Sequence, residues 1–109
     1  CGGDRDKHKR SVMLDVVSKN SDFVIITSDN PRNETFDEIT KDMLSNSSND
    51  EIKRYFIVED REQAIKLGCT LSIQKKSLLL VAGKGHEKFQ EKNGIKTPFD
   101  DKKIIIKYS

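Results

Sequence analysis

The chain of 109 residues has little of several features that mark common protein classes. It has two cysteines, Cys1 and Cys69, and no tryptophan. The cysteines form no CxxC motif and no Cys/His cluster, so neither a zinc site nor a disulfide framework is predicted. We expect both thiols to be reduced, as in a cytoplasmic protein. The apolar runs reach only about five residues, which is too short to span a bilayer, and no signal peptide is visible.

A large excess of charge of one sign is also missing. The chain has twenty basic and eighteen acidic residues, and its net charge is +2. The basic residues are scattered, and few aromatic side chains lie between them. A nucleic-acid interface needs basic residues clustered on one face, so we expect neither a nucleic acid nor a membrane as partner. Charged residues make up 35% of the chain and apolar residues 34%, which predicts one domain over residues 1–109 with a modest core.

Capping signals and apolar periodicity predict three helices. They cover residues 7–18, 35–44 and 60–71. Asp6 is the predicted cap of the first helix, which carries an apolar stripe at helical spacing: Val12, Met13, Val16 and Val17. Capping boxes at residues 35–38 and 60–63 begin the second and third helices. The polar residues 45–50 are predicted to be an exposed loop.

Short apolar runs alternate with these helices. They predict strands at residues 23–27, 55–58 and 77–82. The Asn93-Gly94 pair predicts a hairpin near the carboxyl terminus, and residues 104–106 are predicted to close the chain as a strand or edge segment. The alternation predicts an α/β fold with a mostly parallel, Rossmann-like sheet flanked by helices. Residues 1–3 resemble a loop that leaves a strand, so we expect the first strand to be truncated.

Three polar motifs each follow, or should follow, a predicted β-strand. They are residues 2–7 (GGDRDK), 28–32 (SDNPR) and 82–87 (AGKGHE). The carboxyl ends of parallel strands lie at one edge of a sheet, where α/β proteins bind ligands. The motifs combine guanidiniums, an amide, carboxylates and glycines that leave backbone N–H groups accessible. This set suits a small zwitterion or a phosphate.

Asn30 and Arg32 are candidates for binding an amino acid. The fork of Arg32 matches a carboxylate, and the amide of Asn30 can donate to a carboxylate or accept from an ammonium. Taken alone, however, Asn-Pro is an ordinary turn signal, and Arg32 is then a solvated charge.

The glycines of residues 83–87 let a ligand approach the backbone, and Glu87 is suited to neutralising an amine. The spacing is not that of a P-loop, which needs four residues between its first glycine and Gly-Lys. His86 is either a general base or a loop histidine, and a lone histidine beside charged neighbours is more often the latter.

The first motif offers both charges at the start of a helix. Asp4 suits a ribose hydroxyl or an ammonium, whereas Arg5 and Lys7 suit anionic groups. Helix capping alone explains Asp6, but it does not require Gly2, Gly3 or Asp4.

In this order and spacing, the motifs resemble the C-terminal domain of the Mur ligases. The similarity covers nearly the whole chain, to about residue 101. The matching segments are residues 1–10, 27–32, 82–87 and 99–101. Each is weak by itself, and their common order makes the resemblance specific.

The resemblance implies one domain of a three-domain, ATP-dependent ligase of peptidoglycan synthesis. In this family ATP phosphorylates a peptide carboxylate, and the amine of an incoming amino acid then attacks the acyl phosphate. The sequence of residues 29–32 is similar to that of members that add meso-diaminopimelate to UDP-MurNAc-L-Ala-D-Glu, in which the arginine grips the far carboxylate. The implied cofactors are ATP and Mg²⁺, held mainly by another domain. The isolated domain is therefore expected to be inactive, with no catalytic or metal-binding residue of its own.

The same resemblance implies the residues of an amino-acid pocket. They are Arg5, Asp29, Asn30, Pro31, Arg32, Gly83 and Glu87. Asp4 and Lys7 are implied to lie nearer the nucleotide.

Two alternatives stay open. The same ligase would take another diamino acid: lanthionine has a far carboxylate for Arg32, whereas L-lysine and ornithine have none. Alternatively, the chain is a non-catalytic, Rossmann-like module that binds an amino acid or a nucleotide.

Overall fold

The computed structural model describes residues 1–3, 7–84 and 87–109. Helices and strands alternate through the first two thirds of the chain, and a hairpin and a last helix follow. A 3₁₀ turn, Leu44–Asn46, directly follows α2. The elements are α1 (His8–Lys19), β1 (Val24–Ile26), α2 (Phe36–Met43), α3 (Asn49–Lys53), β2 (Tyr55–Ile57), α4 (Arg61–Lys75), β3 (Phe89–Lys92), β4 (Ile95–Pro98) and α5 (Asp101–Tyr108).

The sheet elements form two separate pairs. β1 and β2 are parallel, with Val24 opposite Tyr55, and the Val58 N–H donates to the Ile26 carbonyl at 2.9 Å just beyond the strands. β3 and β4 are antiparallel. The predicted α/β fold with a parallel sheet and a C-terminal hairpin is thus confirmed.

The core lies between the parallel strands and the first two helices. Its buried cluster consists of Leu14, Val24, Ile26 and Phe36. Partly buried hydrophobic side chains pack around it: Met43, Leu44 and Tyr55. This packing fixes the carboxyl end of β1, from which the second polar motif leaves.

Helix α1 does not turn its predicted apolar stripe to this core. The stripe residues are between 44% and 60% exposed: Val12, Met13, Val16 and Val17. The buried side chains of α1 are Arg10 and Leu14, which lie four residues apart on one face. Arg10 donates to Glu34 at 2.7 Å and to Asp42 at 2.8 Å. These charge-assisted bonds anchor the Arg10 face of the helix to the loop before α2 and to α2 itself.

The predicted starts of α2 and α4 are confirmed by their caps. Thr35 accepts from the Glu38 N–H at 3.1 Å, and Asp60 accepts from the Gln63 N–H at 3.0 Å. Helix α4 continues to Lys75, past the predicted end near residue 71. The predicted cap of α1, Asp6, lies outside the described residues.

The hairpin is also confirmed. Asn93 and Gly94 have φ values of 53° and 78°. Two successive positive φ angles are the requirement of the two-residue turn that matches the twist of a hairpin, and the Asn-Gly pair is favoured there because it tolerates them.

Residues 45–50 are mostly exposed, as predicted, but the prediction that they form a loop is wrong for most of them. These residues complete the 3₁₀ turn and begin α3. The Ser48 hydroxyl accepts from the Glu51 N–H at 3.2 Å, and the Glu51 carboxylate accepts from the Ser48 N–H at 3.0 Å. This reciprocal capping box satisfies free N–H groups in a short polar helix, and its Ser-x-x-Glu signal is present in the sequence.

The predicted third strand, residues 77–82, is not a strand in the structure. Leu78 and Leu80 are 101% and 87% exposed, whereas Leu79 lies beside Gly68 of α4. This alternation is that of an extended chain. A strand also needs a neighbour for its backbone groups, and among the described residues β1 and β2 pair only with each other.

Residues 104–106 form part of helix α5 and are neither a strand nor an edge segment. Asp100 caps the helix by accepting from the Lys102 N–H at 3.0 Å. Tyr108 and Lys107 donate to Glu62 of α4 at 2.7 and 3.3 Å. Capping and docking on α4 outweigh the strand preference of three consecutive isoleucines.

Candidate functional site

The loop after β1 is held by the hairpin. Arg32 has a φ of 54°, an uncommon conformation for a residue with a Cβ atom. Its N–H donates to the Glu91 carbonyl at 3.0 Å, and its carbonyl accepts from the Asn93 N–H at 2.7 Å. Gln90 adds a side-chain bond to the Asp29 carbonyl at 3.2 Å. These hairpin contacts hold the backbone of Arg32 in its left-handed conformation.

Lys84 is the polar centre of this arrangement. Its side chain is fully buried, and its ammonium donates to Asp29 Oδ1 at 2.8 Å, Asn30 Oδ1 at 3.1 Å and the Phe89 carbonyl at 2.9 Å. A lysine ammonium has three donors, so all of them are used. Lys84 joins the third motif to the second motif and to β3.

Asn30 is only 1% exposed, and its oxygens are saturated. Its carbonyl accepts from the Gly3 N–H at 2.6 Å. Its Oδ1 accepts from Lys84 and from the Glu91 N–H, the latter at 2.9 Å. Both neighbours of Oδ1 are pure donors, so the orientation of the amide is fixed.

The guanidinium of Arg32 is partly exposed and loosely held. It donates to the carbonyls of Gly3 and Asn30 at 3.2 and 3.3 Å, and Glu91 Oε1 lies 3.5 Å from its Nε. These long contacts leave the fork able to turn toward a carboxylate ligand.

A second arginine, Arg10, is committed to the fold. Its guanidinium contacts Glu34, Asp42 and the Gly2 carbonyl. The hydrogen bonds that Arg10 donates to Glu34, and after them the one that it donates to Asp42, raise the pKa of Arg10 above its ordinary value. The group is therefore a fixed positive charge whose Nη1 and Nη2 are paired, whereas its buried Nε has no partner among the described residues.

A third arginine holds the segments that carry two of the motifs. Arg61, at the start of α4, makes two bonds of 2.8 Å to the Asp101 carboxylate. Its remaining donors reach the carbonyls of Ser28 and Ala82 at 3.1 and 3.2 Å. These carbonyls belong to the segments that carry the second and third motifs. Arg61 therefore ties the two ligand-facing segments to α4 and α5.

One cavity of about 440 Å³ lies where the motifs meet. It is lined by Cys1, Gly2, Lys9, Arg10, Met13, Asp29, Asn30, Arg32, Gly83 and Glu87. Five of the predicted pocket residues are thus brought together. Pro31 is buried behind them, and its carbonyl packs against Gly3. Of the other predicted site residues, Lys7 is exposed and does not line the cavity, and Asp4 and Arg5 lie outside the described residues.

Sequence reasoning missed the residues that hold this site. Lys84 was visible inside the third motif, but nothing local shows that its ammonium turns inward. The roles of Arg61 and Glu91 depend on contacts across the fold that no local pattern reports. His86, a possible general base, lies outside the described residues.

Two further findings concern membranes and metal ions. No described helix has the length and apolar character needed to cross a membrane. Within residues 1–3, 7–84 and 87–109, no three His, Cys, Asp or Glu side chains are grouped to hold a metal ion. The described residues therefore do not fit a Mg²⁺ site, and we assign no step to the ion in this domain.

Comparison with known proteins decides the family. A family model described as "Mur ligase, glutamate ligase domain" matches residues 1–85. The chain belongs to the Mur ligase family. Members of this family are ATP-dependent ligases of peptidoglycan synthesis, and the resemblance inferred from the motifs is confirmed.

Individual Mur ligases match almost the whole chain. A protein of Cytophaga hutchinsonii is 49% identical over 105 residues, covering 96% of this chain and 21% of the relative. One of Rickettsia typhi is 43% identical over 108 residues, covering 99% and 21%. Both are named UDP-N-acetylmuramoyl-L-alanyl-D-glutamate--2,6-diaminopimelate ligase. The chain spans about a fifth of the length of these relatives.

A solved structure supports the same assignment. It is titled as a structure of UDP-N-acetylmuramoyl-L-alanyl-D-glutamate--2,6-diaminopimelate ligase and aligns with a TM-score of 0.83 at 36% identity. The alignment covers 99% of this chain and 22% of that one. The fold described above is therefore that of one part of a Mur ligase.

Proposed function

We propose that residues 1–109 are the C-terminal domain of a three-domain ligase that joins meso-diaminopimelate to UDP-MurNAc-L-Ala-D-Glu. The supporting observation is the 440 Å³ cavity, which combines the Asn30 amide, the Arg32 guanidinium and the Glu87 carboxylate. Its volume is within the range of small-molecule sites. The names of the relatives agree with this substrate.

Arg32 is the proposed ligand of the far carboxylate of the amino acid. Its fork is one-fifth exposed and makes only long contacts, so a ligand carboxylate gains a charge-assisted pair without breaking a short bond. Asn30 donates beside it, and Glu87 takes an ammonium. Arg5 belongs to the same pocket in this proposal, and Asp4 and Lys7 lie nearer the nucleotide.

The proposed contribution of this domain to the reaction is positioning. ATP supplies the phosphoryl group that converts the D-glutamyl carboxylate into an acyl phosphate. The domain holds the incoming amino acid so that its amine reaches the acyl carbon, where the C–N bond forms and the bond to phosphate breaks. The other two domains hold ATP and Mg²⁺, and the nucleotide substrates imply that the enzyme works in the cytoplasm.

The test is a ligation assay on the full-length protein that carries this domain. ATP and UDP-MurNAc-L-Ala-D-Glu are supplied with meso-diaminopimelate, lanthionine, L-lysine or L-ornithine, and products are identified by mass. We expect product with meso-diaminopimelate, and with lanthionine to the extent that it shares the far carboxylate. The isolated 109 residues serve as the control and are expected to form none.

Each other outcome changes a specific part of the proposal. Product with L-lysine or ornithine would keep the ligase and contradict the role of Arg32. No product from a folded full-length protein would favour a non-catalytic binding module.

A further inference from the structure

Lys84 differs from the other lysines near the motifs because its ammonium points into the protein. Its side chain has no solvent exposure, and each of its three donors has an acceptor within 3.1 Å. A lysine between two glycines would ordinarily be a candidate phosphate ligand. Here its donors are occupied, so a direct role in ligand binding is excluded.

The bond from Lys84 to Asn30 decides what Asn30 offers the cavity. Oδ1 of Asn30 accepts from Lys84 and from the Glu91 N–H. Asn30 also lines the cavity, and its Nδ2 donates to no atom of the described residues. The NH₂ group is therefore the part of this side chain that remains for a ligand, and it can only donate.

We infer that Lys84 is a positioning residue that turns the Asn30 amide so that its NH₂ faces the cavity and selects a carboxylate over an ammonium. The identity of the ligand, meso-diaminopimelate, rests on the proposed function. Of the two roles that the sequence allowed for Asn30, donating to a carboxylate and accepting from an ammonium, the bonds at Oδ1 leave only the first. Asp29 balances the buried charge of Lys84 at 2.8 Å.

The first test changes Lys84 in the full-length ligase. Lys84→Met removes the donors, and we expect the KM for meso-diaminopimelate to rise about 10- to 100-fold, as misplaced binding groups do, with the KM for ATP unchanged. Lys88→Met, at an exposed lysine four residues away, is the matched control and should change neither constant. An unchanged KM for meso-diaminopimelate in folded Lys84→Met would overturn the inference.

A double variant separates positioning from an unpaired buried charge. Lys84→Met alone leaves Asp29 without its partner, which is costly to stability. Asp29→Asn combined with Lys84→Met removes both charges, and the same rise in KM is expected because Asn30 still loses its lysine. If the double variant folds and binds meso-diaminopimelate as the wild type does, Lys84 acts only through stability.

Asn30→Asp tests the orientation itself. It keeps one oxygen for Lys84 and Glu91 and replaces the cavity-facing NH₂ with a second oxygen. Repulsion of the ligand carboxylate should raise the KM for meso-diaminopimelate more than about 100-fold. An equal or lower KM would show that the amide faces the cavity with its oxygen.

A measurement without substrate keeps this inference separate from the proposed function. In the native full-length protein, Lys84 should resist amine acetylation detected by mass spectrometry, and it should react once the protein is unfolded in urea. Equal labelling in both states would contradict the buried contacts. If wild-type protein shows this protection but forms no ligation product, the proposed function fails and the placement of Lys84 stands.

Discussion

The ligand edge and the exposed apolar positions of α1 and of residues 77–82 are built in opposite ways. At the ligand edge, Lys84 and Asn30 are polar and buried, and the Lys84 ammonium and Oδ1 of Asn30 are engaged in bonds of 2.8 to 3.1 Å. Away from this edge, Val12 of α1 and Leu78 and Leu80 of residues 77–82 are apolar and between 60% and 101% exposed. Directional bonds between charged and amide groups fix the geometry of the site, whereas hydrophobic burial fixes the sheet behind it.

Removing the contacts of Arg61 should have the largest effect on the free energy of unfolding. Arg61→Met leaves the buried Asp101 carboxylate unpaired and frees the Ser28 and Ala82 carbonyls, so we expect a loss of about 3–5 kcal/mol. The measurement is hydrogen exchange of the β1 and β2 amides in the full-length protein. Lys19→Met, which removes an exposed bond to Asp15, is the control and should cost only about 0.3–0.5 kcal/mol.

Truncating an apolar side chain should destabilise the domain in proportion to the burial of that side chain. Leu14→Ala empties a core position that is 2% exposed and should cost about 2–5 kcal/mol. Leu78→Ala removes the same atoms from a fully exposed position and should leave exchange of the β1 amides unchanged. Equal losses would show that residues 77–82 are buried in the full-length protein and that the contrast between the two faces is not a property of the whole enzyme.

Two glycines compare the tolerance of the two regions. A Cβ at Gly3 would collide with the Pro31 carbonyl, and one at Gly68 would lie 2.8 Å from Cδ1 of the Leu79 side chain. Backbone cannot yield as a side-chain end can, so Gly3→Ala should cost about 3 kcal/mol and Gly68→Ala about 1 kcal/mol within the range for overpacking. Gly3→Ala should also raise the KM for meso-diaminopimelate, whereas Gly68→Ala should not. If Gly68→Ala cost more stability than Gly3→Ala, the more rigid packing would lie beside Leu79 and not at the ligand edge.

The smallest expected effect is a pH dependence at the junction of α4 and α5. The hydrogen bond from Tyr108, and then that from Lys107, lowers the pKa of Glu62 below its ordinary value of 4.5. Its contribution is thus fully present above pH 4.5 and is lost as pH falls through the lowered value. In Tyr108→Phe the loss of α5 amide protection, corrected for intrinsic exchange, should begin at higher pH.

Helix α3 provides the internal control for that titration. The Ser48 N–H, and then its hydroxyl, lowers the pKa of Glu51, and neither bond involves Tyr108. Protection of α3 should therefore follow the same pH profile in both proteins. A parallel shift in α3 would mean that Tyr108→Phe loosens the whole domain.

Local signals were sufficient for much of this fold. The caps at Thr35 and Asp60 and the Asn93-Gly94 turn each satisfy backbone groups within a few residues, so sequence reveals them. Residues 77–82 have the composition of a strand, but pairing depends on a neighbour that composition cannot supply. The apolar stripe predicted on α1 is not the buried face. Arg10 is buried instead, because Glu34 and Asp42 accept its hydrogen bonds.

The residues of the site could be predicted from the sequence, but the contacts that hold them in place could not. Asp29, Asn30 and Arg32 are close together in sequence and follow β1, so their position at the sheet edge follows from topology. Their meeting with Gly83 does not, because residues 77–82, which precede Gly83, are not a strand. The inward turn of Lys84 depends on three acceptors from separate segments, and no spacing rule reports such a meeting.

The most direct test of the account is the kinetics of Arg32→Ala in the full-length ligase. Loss of a charge-assisted carboxylate pair should raise the KM for meso-diaminopimelate about 100-fold while the KM for ATP stays unchanged, and the preference for meso-diaminopimelate over L-lysine should shrink. A similar loss toward both substrates, or a preference that persists, would contradict the assignment of this cavity as the site of the far carboxylate.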